Sequence, residues 1–175
     1  MSALFYTQID DSPVGPLLLA GDADALHVLS FGMSSAGGRH ERHVSRRTEI
    51  DAQWIPDTKG VLTGVRQELD AYFAGRLKQF STALAFNGTA FQNAVWKQLT
   101  RIPYGETISY LELAKRIDNP KAVRAVGLAN GANPIAIIVP CHRVIGSNGS
   151  LTGFGGGLPT KRALLDLERG QRTLL

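Results

Sequence analysis

The chain has 175 residues, of which 43% are hydrophobic and 19% charged, with a net charge of +4; that describes one large or two small globular domains. No apolar run approaches the roughly 20 residues of a membrane helix, and residues 1–11 lack the basic-then-apolar pattern of a secretory signal, so the soluble interior of a cell, the cytoplasm, is expected. The positive balance is compatible with a polyanionic partner without requiring one.

In chain order, residues 16–20 and 26–31 are apolar runs separated by a turn at 21–24, which predicts a β-hairpin. Residues 34–48 are rich in Gly, Ser and Arg. His40 and His43 fall there with no third ligand nearby, so a solvated loop is expected rather than a metal site. Leu62, Val65, Leu69, Tyr72 and Phe73 form a helical stripe ending near Gly75. The lack of period after it, with Asn87-Gly88, places a division between an N-terminal lobe, 1–85, and a C-terminal lobe, 86–175.

The second lobe opens with Thr89 as a helix cap and Phe91, Ala94, Val95, Leu99 and Ile102 on one face. After a turn at Pro103-Tyr104-Gly105 come helices predicted over 109–117 and 120–130, the latter capped by Asn119 with Pro120 in its first turn. Together they outline a helix-turn-helix. The apolar run 135–139 predicts a buried strand leading into Pro140-Cys141-His142-Arg143. A glycine-rich loop, 153–157, precedes a last helix over 159–169.

Cys141 is the only cysteine, which excludes an internal disulfide and any zinc site of two thiolates. It is then either a small buried hydrophobe or a reactive thiol, and its place at a strand end, before a glycine loop, suits the second. His142 follows it, but neighbours on a strand point to opposite faces, so adjacency alone makes no catalytic pair. Glu168 shares the apolar face of the last helix with Leu164 and Leu165. A carboxylate there needs a partner, for which His142 is a candidate, or else it reaches water from the frayed helix end. The second helix of the pair offers Ala122, Val123, Ala125, Val126 and Gly127 around one long basic residue, Arg124. Such a smooth helix either packs in a core or approaches a narrow surface such as the DNA minor groove.

The block Asn133-Pro134-Ile135-Ala136-Ile137-Ile138-Val139-Pro140-Cys141-His142-Arg143-Val144-Ile145, with Phe154-Gly155-Gly156, Lys161 and Glu168, resembles the O6-alkylguanine-DNA alkyltransferases. The likeness reaches back through Phe91-Gln92-Asn93-Ala94-Val95-Trp96 and Ile102-Pro103-Tyr104-Gly105-Glu106-Thr107, and in layout through Ser12-Pro13-Val14-Gly15 and Ala71-Tyr72-Phe73-Ala74-Gly75. It implies an α/β N-terminal lobe with an RNase-H-like sheet and a mostly α C-terminal lobe carrying the helix-turn-helix.

It also implies repair of DNA by direct, stoichiometric transfer of an alkyl group from O6-alkylguanine to Cys141, with O4-alkylthymine as a further candidate substrate. In those terms His142 takes the thiol proton through a water, Glu168 holds His142, Tyr110 donates to the departing guanine, and Asn133 ties the helix-turn-helix to the active site. Arg124 fills the gap left by the flipped base, beside Lys121, Ala122, Ala125 and Gly127 on the minor groove. Phe154, Gly155, Gly156, Lys161 and Val144 surround the base. No cofactor or metal is implied for this chain, although some relatives bind zinc through cysteines it lacks; the partner is double-stranded DNA, met by a monomer. A Tyr is common in the family where Phe154 stands, so any hydroxyl role there is in doubt. Two rivals are a helix-turn-helix module without chemistry, which lacks base-reading side chains, and a cysteine hydrolase, for which no oxyanion hole is specified.

Overall fold

The computed structural model describes residues 3–32 and 53–170; His40 and His43 lie outside the described residues. The expected hairpin is present and belongs to a sheet of order β3-β2-β1-β4, from β1 (Phe5–Ile9), β2 (Leu17–Gly21), β3 (Leu26–Phe31) and β4 (Ile55–Pro56). β1 and β3 run antiparallel to β2, and β4 runs parallel to β1. β2 is buried along its whole length, as its unbroken apolar sequence requires. Helix α1 (Thr63–Phe73) buries Val65, Leu69 and Tyr72, spaced four and three residues apart on one face.

Helix α2 (Ala90–Leu99) starts at a capping box: Thr89 Oγ1 accepts from the Gln92 amide at 3.2 Å, and Gln92 Oε1 from the Thr89 amide at 3.0 Å. Helix α3 (Tyr110–Arg116) is capped by Ser109, and helix α4 (Val123–Gly131) packs against both α2 and α3. α4 begins three residues later than the sequence predicts. Asn119 does not cap it; its carbonyl accepts from the Ala122 amide at 3.0 Å, so Pro120 and Lys121 form a separate turn. Helix α5 (Leu158–Glu168) closes the fold with Pro159 in its first turn.

The predicted strand over 135–139 is not formed. Only Ile135 pairs, in an isolated bridge to Leu29 of β3. Pro134 has no amide to extend the ladder, Ile137 takes a left-handed φ of 69°, and the Ile138 and Val139 amides bond back to the carbonyls of Ala136 and Ile135. The run can be buried because its backbone finds partners both within itself and on Leu29. The same bridge joins the two halves of the chain: Leu29 donates to Pro134 O at 2.9 Å and accepts from the Ala136 amide at 2.8 Å. One apolar core, from Leu17 and Leu29 to Trp96, Ile137 and Leu164, runs through both.

Candidate active site

The coiled 134–139 segment delivers Cys141 into a 3-10 turn, Cys141–Arg143, rather than a strand end, and β6 (Val144–Ile145) follows, paired with β5 (Ile108–Ser109). Asn133 holds the approach: its Nδ2 donates to Val139 O at 2.8 Å and its Oδ1 accepts from the Ile135 amide at 3.0 Å. The Asn130 amide donates to the Cys141 carbonyl at 3.4 Å. Cys141 is 6% exposed. Burial pushes its thiol pKa up, against the lowering effects of Asn133 and of the Lys161 charge.

Glu168 lies on the buried face of α5, and its side chain has no exposed surface. Its Oε1 accepts from His142 Nε2 and Tyr72 Oη, each at 2.7 Å, and from Arg143 Nη2 at 2.9 Å. Its Oε2 accepts from Arg143 Nε at 2.8 Å and the Gly105 amide at 3.2 Å. Burial works to raise the carboxyl pKa, but the bonds from His142 and Arg143 outweigh it and hold the group well below the usual carboxylate range. His142 is lowered, chiefly by burial, although Glu168 opposes this. Arg143 therefore supplies the counter-charge and the imidazole stays neutral, donating from Nε2. That leaves Nδ1 as the basic nitrogen, and it is buried without a protein partner.

Sequence reasoning links Glu168 to His142 and misses Arg143 and Tyr72. Arg143 adjoins His142, and the hydroxyl of Tyr72, on the buried stripe of α1, needed a partner; those were the available signals.

The third group lies under the glycine loop. Lys161 is fully buried and donates to Val144 O at 2.6 Å and Thr152 O at 2.9 Å. Burial lowers its pKa to about 8, against the raising influence of Cys141. Its Nζ stands 5.9 Å from the centre of the Tyr110 ring, whose hydroxyl donates to Thr152 O at 3.3 Å. Burial raises the Tyr110 pKa. Phe154 packs edge-on against Phe31 of β3 at 5.4 Å, and a Cβ on Gly156 would stand 2.9 Å from that Phe31 ring. Gly155 is exposed. Gly127 of α4 faces Tyr110, where a Cβ would meet the ring at 3.9 Å. Lys121, Arg124 and Ala125 are exposed and Ala122 half-buried, so they lie along the outside of the helix-turn-helix.

His27 bonds Asp22 and Asn87, and no group of potential metal ligands occurs among the described residues. No described helix is long and apolar enough to cross a membrane.

Two family models match this chain. The 6-O-methylguanine DNA methyltransferase, ribonuclease-like domain, covers residues 4–86, and the DNA binding domain of the same methyltransferase covers 90–170. The chain belongs to the 6-O-methylguanine DNA methyltransferase family. A methylated-DNA–protein-cysteine methyltransferase of Methanosarcina acetivorans is 51% identical over 163 residues, 93% of this chain and 97% of that one. Its counterpart in Mycobacterium bovis is 52% identical over 161 residues, 92% of this chain and 90% of that one. Among solved structures, Mycobacterium tuberculosis OGT in complex with DNA superposes with a TM-score of 0.82 at 51% identity, over 95% of this chain and 94% of that one. The two-part architecture is that of the family: a ribonuclease-like sheet lobe and a mostly helical DNA-binding lobe.

Proposed function

We propose that this protein repairs DNA by moving the alkyl group of O6-alkylguanine onto Cys141, irreversibly and once per molecule. The observation that carries the reading is His142, neutral and held by Glu168, with a free basic nitrogen beside the chain's only cysteine. Through an intervening water, Nδ1 takes the thiol proton; the thiolate, the competent nucleophile, attacks the alkyl carbon. One S–C bond forms and the C–O6 bond breaks. The electron pair leaves on guanine, where Tyr110 donates a hydrogen bond, and the proton taken from the thiol ends on the ring nitrogen of restored guanine. The thioether has no leaving group that would regenerate the thiol.

Lys161 and Val144 line the base pocket with the loop Phe154-Gly155-Gly156. Phe154 offers a stacking face without a hydroxyl. Asn133 positions Cys141 through Val139. The outer side of α4 and of the turn before it, with Lys121, Ala122 and Ala125 and with Gly127 beside Tyr110, lies along the minor groove, and Arg124 fills the space of the expelled nucleotide. Acting on chromosomal DNA, the protein works in the cytoplasm of a cell without a nucleus.

The test is intact-mass and peptide mass spectrometry after mixing the protein with a duplex carrying O6-methylguanine. One methyl is expected, on the Cys141 peptide, stopping at one equivalent. Continued turnover, or methyl on another residue, would overturn the reading.

A further inference from the structure

We propose that Asn130 is a positioning residue for the ionisation of Cys141, its Oδ1 orienting the water through which His142 takes the thiol proton; this rests on the repair function above and deepens it. Asn130 is 2% exposed, on the inner face of α4 with Val126 and Ala129. Trp96 Nε1 donates to the Ala129 carbonyl at 2.8 Å, which pins the rotation of the helix and keeps the asparagine turned inward. The Asn130 Nδ2 donates to the Cys141 carbonyl at 3.4 Å. A carbonyl oxygen only accepts, so that bond fixes which end of the amide is nitrogen and leaves Oδ1 as the other. Oδ1 is buried with no hydrogen-bond partner among the described residues, and His142 Nδ1 is in the same condition. The two flank Cys141, one on the residue that follows it and the other on the amide that holds its carbonyl.

Folding does not account for an asparagine in that place. A buried acceptor without a partner costs stability, whereas a leucine or methionine beside Val126 and Ala129 would not. Holding Cys141 does not account for it either, because Asn133 already fixes the approach through Val139 and Ile135. An acceptor is required where a water must be held in one orientation. A water that donates one hydrogen to Asn130 Oδ1 and the other to His142 Nδ1 keeps a lone pair for the Cys141 thiol, and about three bonds is the usual number for a buried water. As the water passes its hydrogen to Nδ1 it takes the one on sulfur: an S–H bond breaks, an N–H bond forms, the water is restored, and a thiolate faces an imidazolium. The amide oxygen suits this task because it carries no charge; a carboxylate there would oppose the thiolate.

The experiment is single-turnover methyl transfer from an O6-methylguanine duplex between pH 6 and 8, with the wild type, Asn130→Leu and Asn130→Met, alongside thermal melts and duplex binding by fluorescence anisotropy. At pH 6 each variant should be slower than the wild type by about tenfold or more, and the gap should narrow toward pH 8, where hydroxide ionises the thiol without the relay. Lys161 and Glu168 of α5, Arg143 beside His142 and Tyr110 of α3 are the charged and titratable groups that bear on Cys141 and His142. All three proteins share them, so the difference between the profiles reports the relay. At least one variant should melt no lower than the wild type, since an unpaired buried acceptor is gone, and duplex affinity should be unchanged, since Asn130 is buried while Arg124 is exposed. Wild-type rates in a folded variant, or a loss of the same size at every pH, would overturn the inference. Weakened duplex binding, or a much lower melting temperature in both variants, would do the same by giving Asn130 a merely structural role. If the wild type itself transfers no methyl, it is the repair function that fails.

Discussion

Oε1 of Glu168 accepts from Nε2 of His142 at 2.7 Å, and that bond decides which imidazole nitrogen is left to act as a base. The same carboxylate also balances the buried Arg143 guanidinium. Glu168→Gln should therefore do two kinds of damage. It strands a buried cation, at a cost of about 3–5 kcal/mol, and it loosens the tautomer that keeps Nδ1 basic. A lowered melting temperature together with single-turnover methyl transfer slowed by at least about a hundredfold is the expected result. Transfer at the wild-type rate would remove Glu168 from the mechanism.

The same pair makes the fold acid-sensitive. His142 is held below its ordinary 6.5 by burial, so as pH falls below that value the unfolded chain takes a proton that the folded chain resists, and stability declines. Glu168 is held below its ordinary 4.5 by its donors. Its contribution is present above pH 4.5 and is withdrawn as pH drops further toward the folded value. Urea unfolding at pH 7.5, 5.5 and 4 should show falling stability at each step, and Glu168→Gln should lose the lower part of that decline. A flat profile in the wild type would contradict the assignment.

Tyr72 belongs to the N-terminal half, yet its hydroxyl donates to Glu168 at 2.7 Å. Burial, then the nearby Glu168 charge, raises its pKa well above the ordinary value, so it remains a donor at any working pH. Tyr72→Phe removes one bond to a buried charge, worth about 1.5–3 kcal/mol. We expect that loss in denaturant unfolding, and transfer slowed less than by Glu168→Gln, because His142 and Arg143 still hold the carboxylate.

These contacts show where sequence reading reaches its limit. The hairpin, α1, the Thr89 cap and α5 were legible because periodicity and capping are local properties. So was the conflict of a carboxylate on the apolar face of α5. Tyr72 and Glu168 are 96 residues apart, and no pattern in one stretch predicts a bond between them. The failed strand over 135–139 has a different cause. Its apolar run matches a buried strand, but Pro134 and the left-handed Ile137 turn the chain, and burial alone does not distinguish a ladder from a coil whose amides are satisfied at short range.

Phe31 of β3 carries the N-terminal lobe into the proposed base pocket, since its ring touches Phe154 and leaves no room for a side chain on Gly156. Phe31→Ala should let the loop at 153–157 sag. Large alkyl groups should then be accepted relatively better than methyl, and transfer of methyl should slow about tenfold. Phe31→Leu, which keeps much of the volume, should lie between. The measure is the ratio of single-turnover rates for O6-benzylguanine and O6-methylguanine duplexes; a ratio equal to the wild type's in Phe31→Ala would mean the contact only supports the fold.

The last prediction concerns a cation and an anion that depend on each other. Burial raises the Cys141 pKa, so the thiolate becomes more abundant as pH rises and transfer should accelerate from pH 6 upward. The Lys161 charge works the other way on Cys141, favouring the thiolate, but burial has brought Lys161 down to about 8. Above that pH the ammonium, which also holds the carbonyls of Val144 and Thr152, gives up its charge. The single-turnover rate should therefore pass through a maximum and fall with a midpoint near pH 8. Lys161→Met should be slower throughout and should lack the falling limb, because it has no charge to lose. A wild-type rate that kept climbing through pH 9.5 would show that the thiolate does not draw on Lys161.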